Sequence, residues 1–201
     1  DGVLTELQTK SVDLGMAGLS PDPVREAAMD FSDIYYEGGQ SLVTVKDNAD
    51  TYNSTDAVND PSVSVGAQTG SIQLDLAQKN SPDADIVSLP KVTDIISELL
   101  AGKLDAAYIE TDVAKSYQKN YPDLEIVADV PYDVVGSSIG VSKGNAELLA
   151  AVNEAIAAAK ADGSLEEYIA EANALASGEK YEGLLNENGE VAADETEAVT
   201  E

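Results

Sequence analysis

The chain has 201 residues, 43% of them hydrophobic, with 38 acidic against 11 basic side chains and a formal net charge of −27. That balance argues against nucleic acid and anionic membrane surfaces as partners, since both need basic patches. Histidine and cysteine are both absent, which removes imidazole bases, thiol chemistry, Cys/His zinc sites and any disulfide framework. The length suits one large domain or two modest lobes, and no run is apolar and long enough to cross a membrane.

In chain order, Val3, Leu4 and Leu7 suggest the tail of a helix, followed by a turn over Lys10-Ser11-Val12-Asp13. Val12 to Ala17 reads as a short buried strand, broken by Gly18. Asp22 followed by Pro23 is a helix start, because Asp accepts orphan backbone N–H bonds and proline suits the first helical position. Arg25 then sits at the positive end of a helix dipole, unfavourable by up to ~1 kcal/mol. A bound anion relieves the conflict if Arg25, free helix N–H groups and the Ser20 hydroxyl hold it together. Alternatively Arg25 pairs with Asp22, Glu26 or Asp30. On spacing alone the two readings stand level.

Ser41–Lys46 reads as a strand leaving a first lobe, before polar turns at Asp47-Asn48-Ala49-Asp50 and Asn53-Ser54-Thr55-Asp56. A second lobe is expected from there to about Tyr132. Its elements are strand Val63–Val65, a helix after Ser71, strand Ile86–Ser88, helix Val92–Leu100, strand Ala106–Ile109, helix Val113–Tyr117 and strand Glu125–Ala128. Alternating strands and helices imply parallel sheet. Val134–Val141 is the expected return strand, and two crossings between lobes make a hinge. An Ala-rich helix follows, with Leu148, Leu149, Val152 and Ile156 on one face. Ser164-Leu165-Glu166-Glu167 then has the form of a capping box opening the last helix. After Asn186 the tail carries acids and no base, and disorder is expected.

The helix-turn-strand order occurs twice. Ile95, Ile96, Leu99 and Leu100 mark an amphipathic helix ended by Gly102, and Lys103-Leu104-Asp105 leads into Ala106–Ile109 with Glu110 at the strand's carboxyl end. Ligands of open α/β sheets sit at carboxyl ends of strands. One lobe then offers Arg25 and the other Glu110, a cation and an anion that complement a zwitterion. Asp13 and Asp105, at equivalent places, are expected to be structural.

The stretch Asp13, Ala17-Gly18-Leu19-Ser20, Pro23, Arg25, Asp30-Phe31-Ser32 and Tyr35 resembles the signature of the family 3 extracellular solute-binding proteins, the polar amino acid receptors of ABC importers. It departs from the family pattern at Asp22 for Thr, Val24 for Glu and Ile34 for Pro. Val65-Gly66 with Gln68-Thr69-Gly70-Ser71, then Gly102-Lys103-Leu104-Asp105-Ala106-Ala107 and Ser142-Lys143-Gly144-Asn145, extend the resemblance from Leu4 to about Leu185. It implies an α/β, two-lobed periplasmic-binding-protein-like fold (type II), with parallel-sheet lobes joined by two crossing strands. Lobe 1 is expected over 1–45 and 134–185, lobe 2 over 46–133, and an acidic tail over 186–201. The family opens with a strand, a helix and a strand before the segment matching Val3–Leu7, so the first lobe is expected to be incomplete at the N-terminus. An exposed apolar sheet edge inviting self-association follows from that.

The resemblance also implies roles. Arg25, Ser20 with amides near Gly18, and the Thr69-Gly70-Ser71 turn would hold a ligand α-carboxylate, and Glu110 its α-amino group. Physical chemistry supports the turn, whose amides open a helix and whose Gly70 permits close approach; otherwise it is an ordinary strand-to-helix turn. Glu110 could instead be a solvated carboxylate beside Asp112 that caps the next helix. Tyr35 and Tyr36 fit a sheet-edge cover better than a cleft lining. The implied function is the substrate-binding component of an ABC importer at the extracellular face or periplasm, with a free amino acid and a permease as partners and no cofactor, metal or catalysis. Which amino acid is left open. An enzyme resembling the dehydratases on this scaffold would need a proton donor or base aimed at the reacting carbon. A ligand-sensing domain is a third reading.

Overall fold

The computed structural model describes residues 2–133 and 136–178, with backbone alone for 174–178. Helix α1 (Gly2–Gln8) leads into β1 (Leu14–Leu19), α2 (Pro23–Ala28) and β2 (Met29–Phe31). Strand β3 (Gln40–Val45) ends in a 3-10 turn, Lys46–Asn48. Then come β4 (Ser64–Gln68), α3 (Ile72–Asn80), β5 (Asp85–Leu89), α4 (Val92–Leu100), β6 (Ala106–Glu110), α5 (Thr111–Asn120) and β7 (Leu124–Asp129). Strand β8 (Ser138–Ser142) and helices α6 (Ala146–Asp162) and α7 (Ser164–Gly178) complete the described chain. No helix among the described residues is long and apolar enough to cross a membrane. Val134 and Val135 of the expected return strand, and the tail after Asn186, lie outside the described residues.

Two sheets organise the α/β fold into two lobes: a three-stranded sheet ordered β1-β8-β2 and a five-stranded sheet ordered β5-β4-β6-β3-β7. The larger sheet is covered on both faces, and the period-2 alternation of its strands decides which residue goes where. Leu42, Ala106 and Tyr108 enter one core with Leu76 and Ala77 of α3. Val43, Ala107 and Ile109 enter the other with Ile95, Ile96 and Leu99 of α4 and Ala114 and Tyr117 of α5. The smaller sheet has a slight core of Leu7, Leu19 and Met29.

The sheets correct the expectation of parallel lobes. β4 runs parallel to β5 and β6 because α3 and α4 cross over between them. β3, however, pairs antiparallel with both β6 and β7. The small sheet is antiparallel throughout, because β8 returns between β1 and β2. The strand expected to leave the first lobe at Ser41–Lys46 is thus a central strand of the five-stranded sheet, with Ser41, Leu42, Val43 and Thr44 all buried. The segments between the sheets include 32–39 and, among the described residues, 130–133 and 136–137, tied by Val130 N–H to the Gln40 carbonyl at 2.7 Å and Ser137 N–H to the Tyr36 carbonyl at 2.6 Å. Tyr132 ties them again, its hydroxyl donating to the Gly38 carbonyl at 2.9 Å and accepting from Gly136 N–H at 3.1 Å.

Local signals mostly hold. Val92–Leu100 is helical as read, and Gly102 takes φ 68 beyond its end. Ser71 caps α3, and Asn145 caps α6. The first strand runs Leu14–Leu19 rather than ending at Ala17, because Leu19 remains paired with Ser138. Asp105 is structural: its carboxylate accepts from Ser64 N–H at 2.8 Å and from the Tyr52 hydroxyl at 3.1 Å. Asp13 contributes through its carbonyl, which accepts from Ser142 N–H. The capping box does not form, since Ser164 is already helical and Glu167 N–H reaches the Gly163 carbonyl.

Candidate ligand-binding cleft

Where the crossing segments meet the strand ends, a cleft of about 590 Å³ opens between the two sheets. That volume lies within the usual range for small-molecule sites, roughly 300–1,000 Å³. The cleft is lined by all of Gly18, Ser20, Arg25, Thr69, Gly70, Ser71 and Glu110. Residues up to 92 positions apart in sequence order therefore share one hollow, Gly18 to Glu110.

Arg25 is the single arginine among the 11 basic residues of the chain. Its side chain is 12% exposed, and Nε lies 3.0 Å from Asp22 Oδ2. Nη1 donates to the Ser20 carbonyl at 2.9 Å and Nη2 to the Gly70 carbonyl at 3.1 Å. The pairing with Asp22, the alternative reading of the sequence, is present, and Arg25 also lines the cleft. The free amides expected at the start of α2 are a correction. Asp22 Oδ1 takes Val24 N–H at 2.8 Å and Arg25 N–H at 3.0 Å, so the cap consumes them.

The opposite wall is the turn between β4 and α3. Thr69 N–H bonds to the Leu89 carbonyl at 2.8 Å, and its hydroxyl pairs with that of Ser88 at 2.6 Å. The Ser71 hydroxyl donates to the Gln68 carbonyl at 2.7 Å and accepts from Leu74 N–H at 3.3 Å. Ile72 and Gln73, the first two helical residues, have no intrahelical acceptor for their N–H groups, which is the usual condition of a helix start. Gly70 has φ 70 and Gly18 φ 61, backbone conformations that glycine adopts freely and that place a bare main chain at the cleft.

Glu110 ends β6 and opens α5. Its Oε2 accepts from Val113 N–H at 2.8 Å, which is the capping role. Its Oε1 is buried without a hydrogen-bond partner, beside Gly38, where an added Cβ would collide with it. Burial pushes the Glu110 carboxyl above its ordinary pKa, against the opposing pull of Val113 N–H. An orphaned carboxylate oxygen on a cleft wall is a costly arrangement that a cationic ligand group would relieve.

Tyr35 and Tyr36 line the cleft rather than cover a sheet edge. The Tyr36 hydroxyl donates to Asp112, whose other oxygen pairs with Lys115 at 3.0 Å. The hydrogen bond from Tyr36, then that from Lys115, holds the Asp112 pKa below its ordinary value. Burial first, then the Asp112 bond, raises that of Tyr36. Sequence reasoning also missed Gln40, Gln73 and Tyr132 in the lining. Gln73 Nε2 donates to Gln40 Oε1 at 2.7 Å, joining α3 to β3. Gln40 follows Gly38-Gly39 and Gln73 stands second in α3, positions that mark tight chain passages but not side-chain direction.

Residues 1–172 match the model of the bacterial extracellular solute-binding proteins, family 3. The chain belongs to that family. An arginine-binding extracellular protein of Bacillus subtilis, ArtP, is 32% identical over 171 residues, covering 83% of this chain and 65% of ArtP. The chain thus spans just under two thirds of that relative's length. A crystal structure of the amino acid ABC transporter substrate-binding protein AbpA of Streptococcus pneumoniae, bound to L-arginine, superposes with a TM-score of 0.83 at 32% identity, covering 89% of this chain and 75% of AbpA. An ancestral amino acid-binding protein, AncCDT-1, described as a precursor of cyclohexadienyl dehydratase, superposes at 0.75 with 31% identity, covering 83% and 71% of the two chains. All three are described as amino acid-binding or substrate-binding proteins.

Proposed function

We propose that this chain binds a free amino acid in the cleft, closes on it, and serves as the extracellular binding component of an ABC importer. One observation carries the reading: the only arginine of the chain, on α2, and Glu110, at the end of β6 with a buried carboxylate oxygen that lacks a hydrogen-bond partner, line the same cleft. Arg25, Ser20 and the main chain at Gly18, with the Thr69-Gly70-Ser71 turn opposite, hold the α-carboxylate, exchanging the Ser20 and Gly70 carbonyls for it. Glu110 Oε1 takes the α-ammonium group. Charge-assisted hydrogen bonds contribute about 1.5–3 kcal/mol each and micromolar binding needs about −8 kcal/mol, so several of them must act together to overcome the ordering costs. The arginine-binding relatives favour a basic amino acid as the ligand.

On this reading lobe 1 is the three-stranded sheet with α1, α2 and α6, and lobe 2 the five-stranded sheet with α3, α4 and α5, hinged at the crossing segments. Closure follows because the ligand binds both lobes better together than apart. β1 is an edge strand with Leu14 44% and Met16 61% exposed, and we assign to it pairing between two copies. A charge of −27 on each copy opposes the pairing, so salt strengthens it. Light scattering that finds a monomer at every salt concentration removes that part.

A dehydratase-like enzyme on this scaffold is the rival; it needs a proton donor or base aimed at the reacting carbon, and Glu110 is the one carboxyl among the described residues lining the cleft. Titration calorimetry against an amino acid panel, run beside a turnover assay on the same ligands, separates the two. Binding without turnover supports the receptor, and turnover of any bound ligand overturns it.

A further inference from the structure

We propose that Asp22 is a specificity-determining residue, which sets the charge balance of the cleft so that it favours cationic over neutral and acidic amino acids. The inference rests on Arg25 as the carboxylate-binding group. Among the described residues lining the cleft, Arg25 is the sole cation and Glu110 the sole acid. Taken alone they cancel and suit a neutral zwitterion.

Asp22 breaks that balance. Its Oδ2 lies 3.0 Å from Arg25 Nε, while the Arg25 side chain is 12% and the Asp22 side chain 26% exposed, so water screens the pair weakly. With the guanidinium charge answered from behind, the cleft keeps the unopposed carboxylate of Glu110, whose Oε1 has no partner. A zwitterion with a further positive group then meets a net negative hollow, and one with a further negative group is repelled. The Asp22 carboxylate also fixes direction. Nε is committed to it, so only the Nη1–Nη2 edge, now on the Ser20 and Gly70 carbonyls, turns to a ligand. Capping α2 does not require a charge, because Asn caps about as well as Asp and Thr only somewhat less well.

The test is calorimetry on the full chain with L-arginine, L-glutamine and L-glutamate, comparing the unaltered chain with Asp22→Asn and Asp22→Thr. Both variants keep the cap, and thermal unfolding checks that they fold. The expected result is that the ratio of the glutamate Kd to the arginine Kd falls by about tenfold, which is about 1.4 kcal/mol, with glutamine between. Affinities that shift by one common factor for all three ligands, or a ratio that stays put, overturn the inference. An unaltered chain that binds none of the three removes the parent reading and this one together; one that binds but shows no change in ratio removes this one alone.

Discussion

Arg25 Nη2 and the Gly70 carbonyl meet at 3.1 Å across the cleft, so the guanidinium already reaches from α2 to the turn between β4 and α3. Both the hydrogen bond and the Asp22 pair depend on the planar fork of arginine. Lysine presents a single ammonium and cannot serve Asp22, Ser20 and Gly70 in three directions. Arg25→Lys is expected to weaken amino acid binding by about tenfold or more, a loss of at least about 1.4 kcal/mol. Calorimetry measures it, and an unchanged Kd would show that the guanidinium does not grip the ligand.

The Glu110 carboxyl is raised above its ordinary pKa by burial, so its charged form is disfavoured in the folded chain. A ligand ammonium needs that charged form. Affinity is therefore full above the raised pKa and lost as pH falls through it, a window beginning higher than for an exposed glutamate. Stability runs the other way: a carboxyl with a raised folded pKa contributes stability below its unfolded pKa, and loses it as pH rises through the folded one. Glu110→Gln keeps an acceptor for Val113 N–H and removes the buried charge. It is expected to flatten the pH profile of binding, lower affinity for free amino acids more than for ligands lacking an α-amine, and leave unliganded stability at pH 7 no lower. Equal losses for both ligand classes would make Glu110 a cap only.

The cleft was legible where local chemistry announces itself. Asp22-Pro23, Gly70-Ser71 and Glu110 ahead of α5 each mark a helix start, and Arg25 on the first of these helices, Gly70, Ser71 and Glu110 all line the cleft. Strand partnership was not legible. Ser41–Val45 carries the apolar Leu42, Val43 and Val45 whether it joins the smaller sheet or the larger one, and nothing in those residues names β6 and β7 as its partners. Tyr36 and Gln73 escaped for a related reason. Their roles depend on Asp112 and Gln40, partners 76 and 33 positions away, and no local spacing encodes such pairs. The α2 amides failed differently, since the same Asp22 that signals the helix also occupies them.

Tyr108 tests how the larger core supports the cleft. It is 1% exposed, and its hydroxyl pairs with Ser81 Oγ at 2.7 Å. Tyr108→Phe leaves Ser81 only a 3.4 Å contact with the Thr55 carbonyl, an underused buried hydroxyl that costs about 1–3 kcal/mol. For a chain of this size each kcal/mol is worth roughly 2–4 °C in Tm. Thermal unfolding is expected to show that loss, and Ser81→Ala in the Tyr108→Phe background to recover part of it. No recovery would place the cost in packing rather than in the unpaired hydroxyl.

Tyr36 joins a crossing segment to the second lobe. Its carbonyl accepts from Ser137 N–H at 2.6 Å, and its hydroxyl donates to Asp112 in the first turn of α5. The bond is charge-assisted, and such bonds contribute about 1.5–3 kcal/mol. On the proposed closure, parting of the lobes breaks this bond while the Asp112–Lys115 pair within α5 survives. Tyr36→Phe removes the hydroxyl and little else, so it acts on the closed state selectively. Stopped-flow measurements with arginine are expected to show faster dissociation, by about tenfold for each 1.4 kcal/mol lost, at a nearly constant association rate. The Asp112 pKa is expected to rise toward its ordinary value, since the Tyr36 hydrogen bond is the largest influence lowering it. If that pKa rises while dissociation keeps its original rate, the hydrogen bond forms in the open and closed states alike and does not latch the cleft.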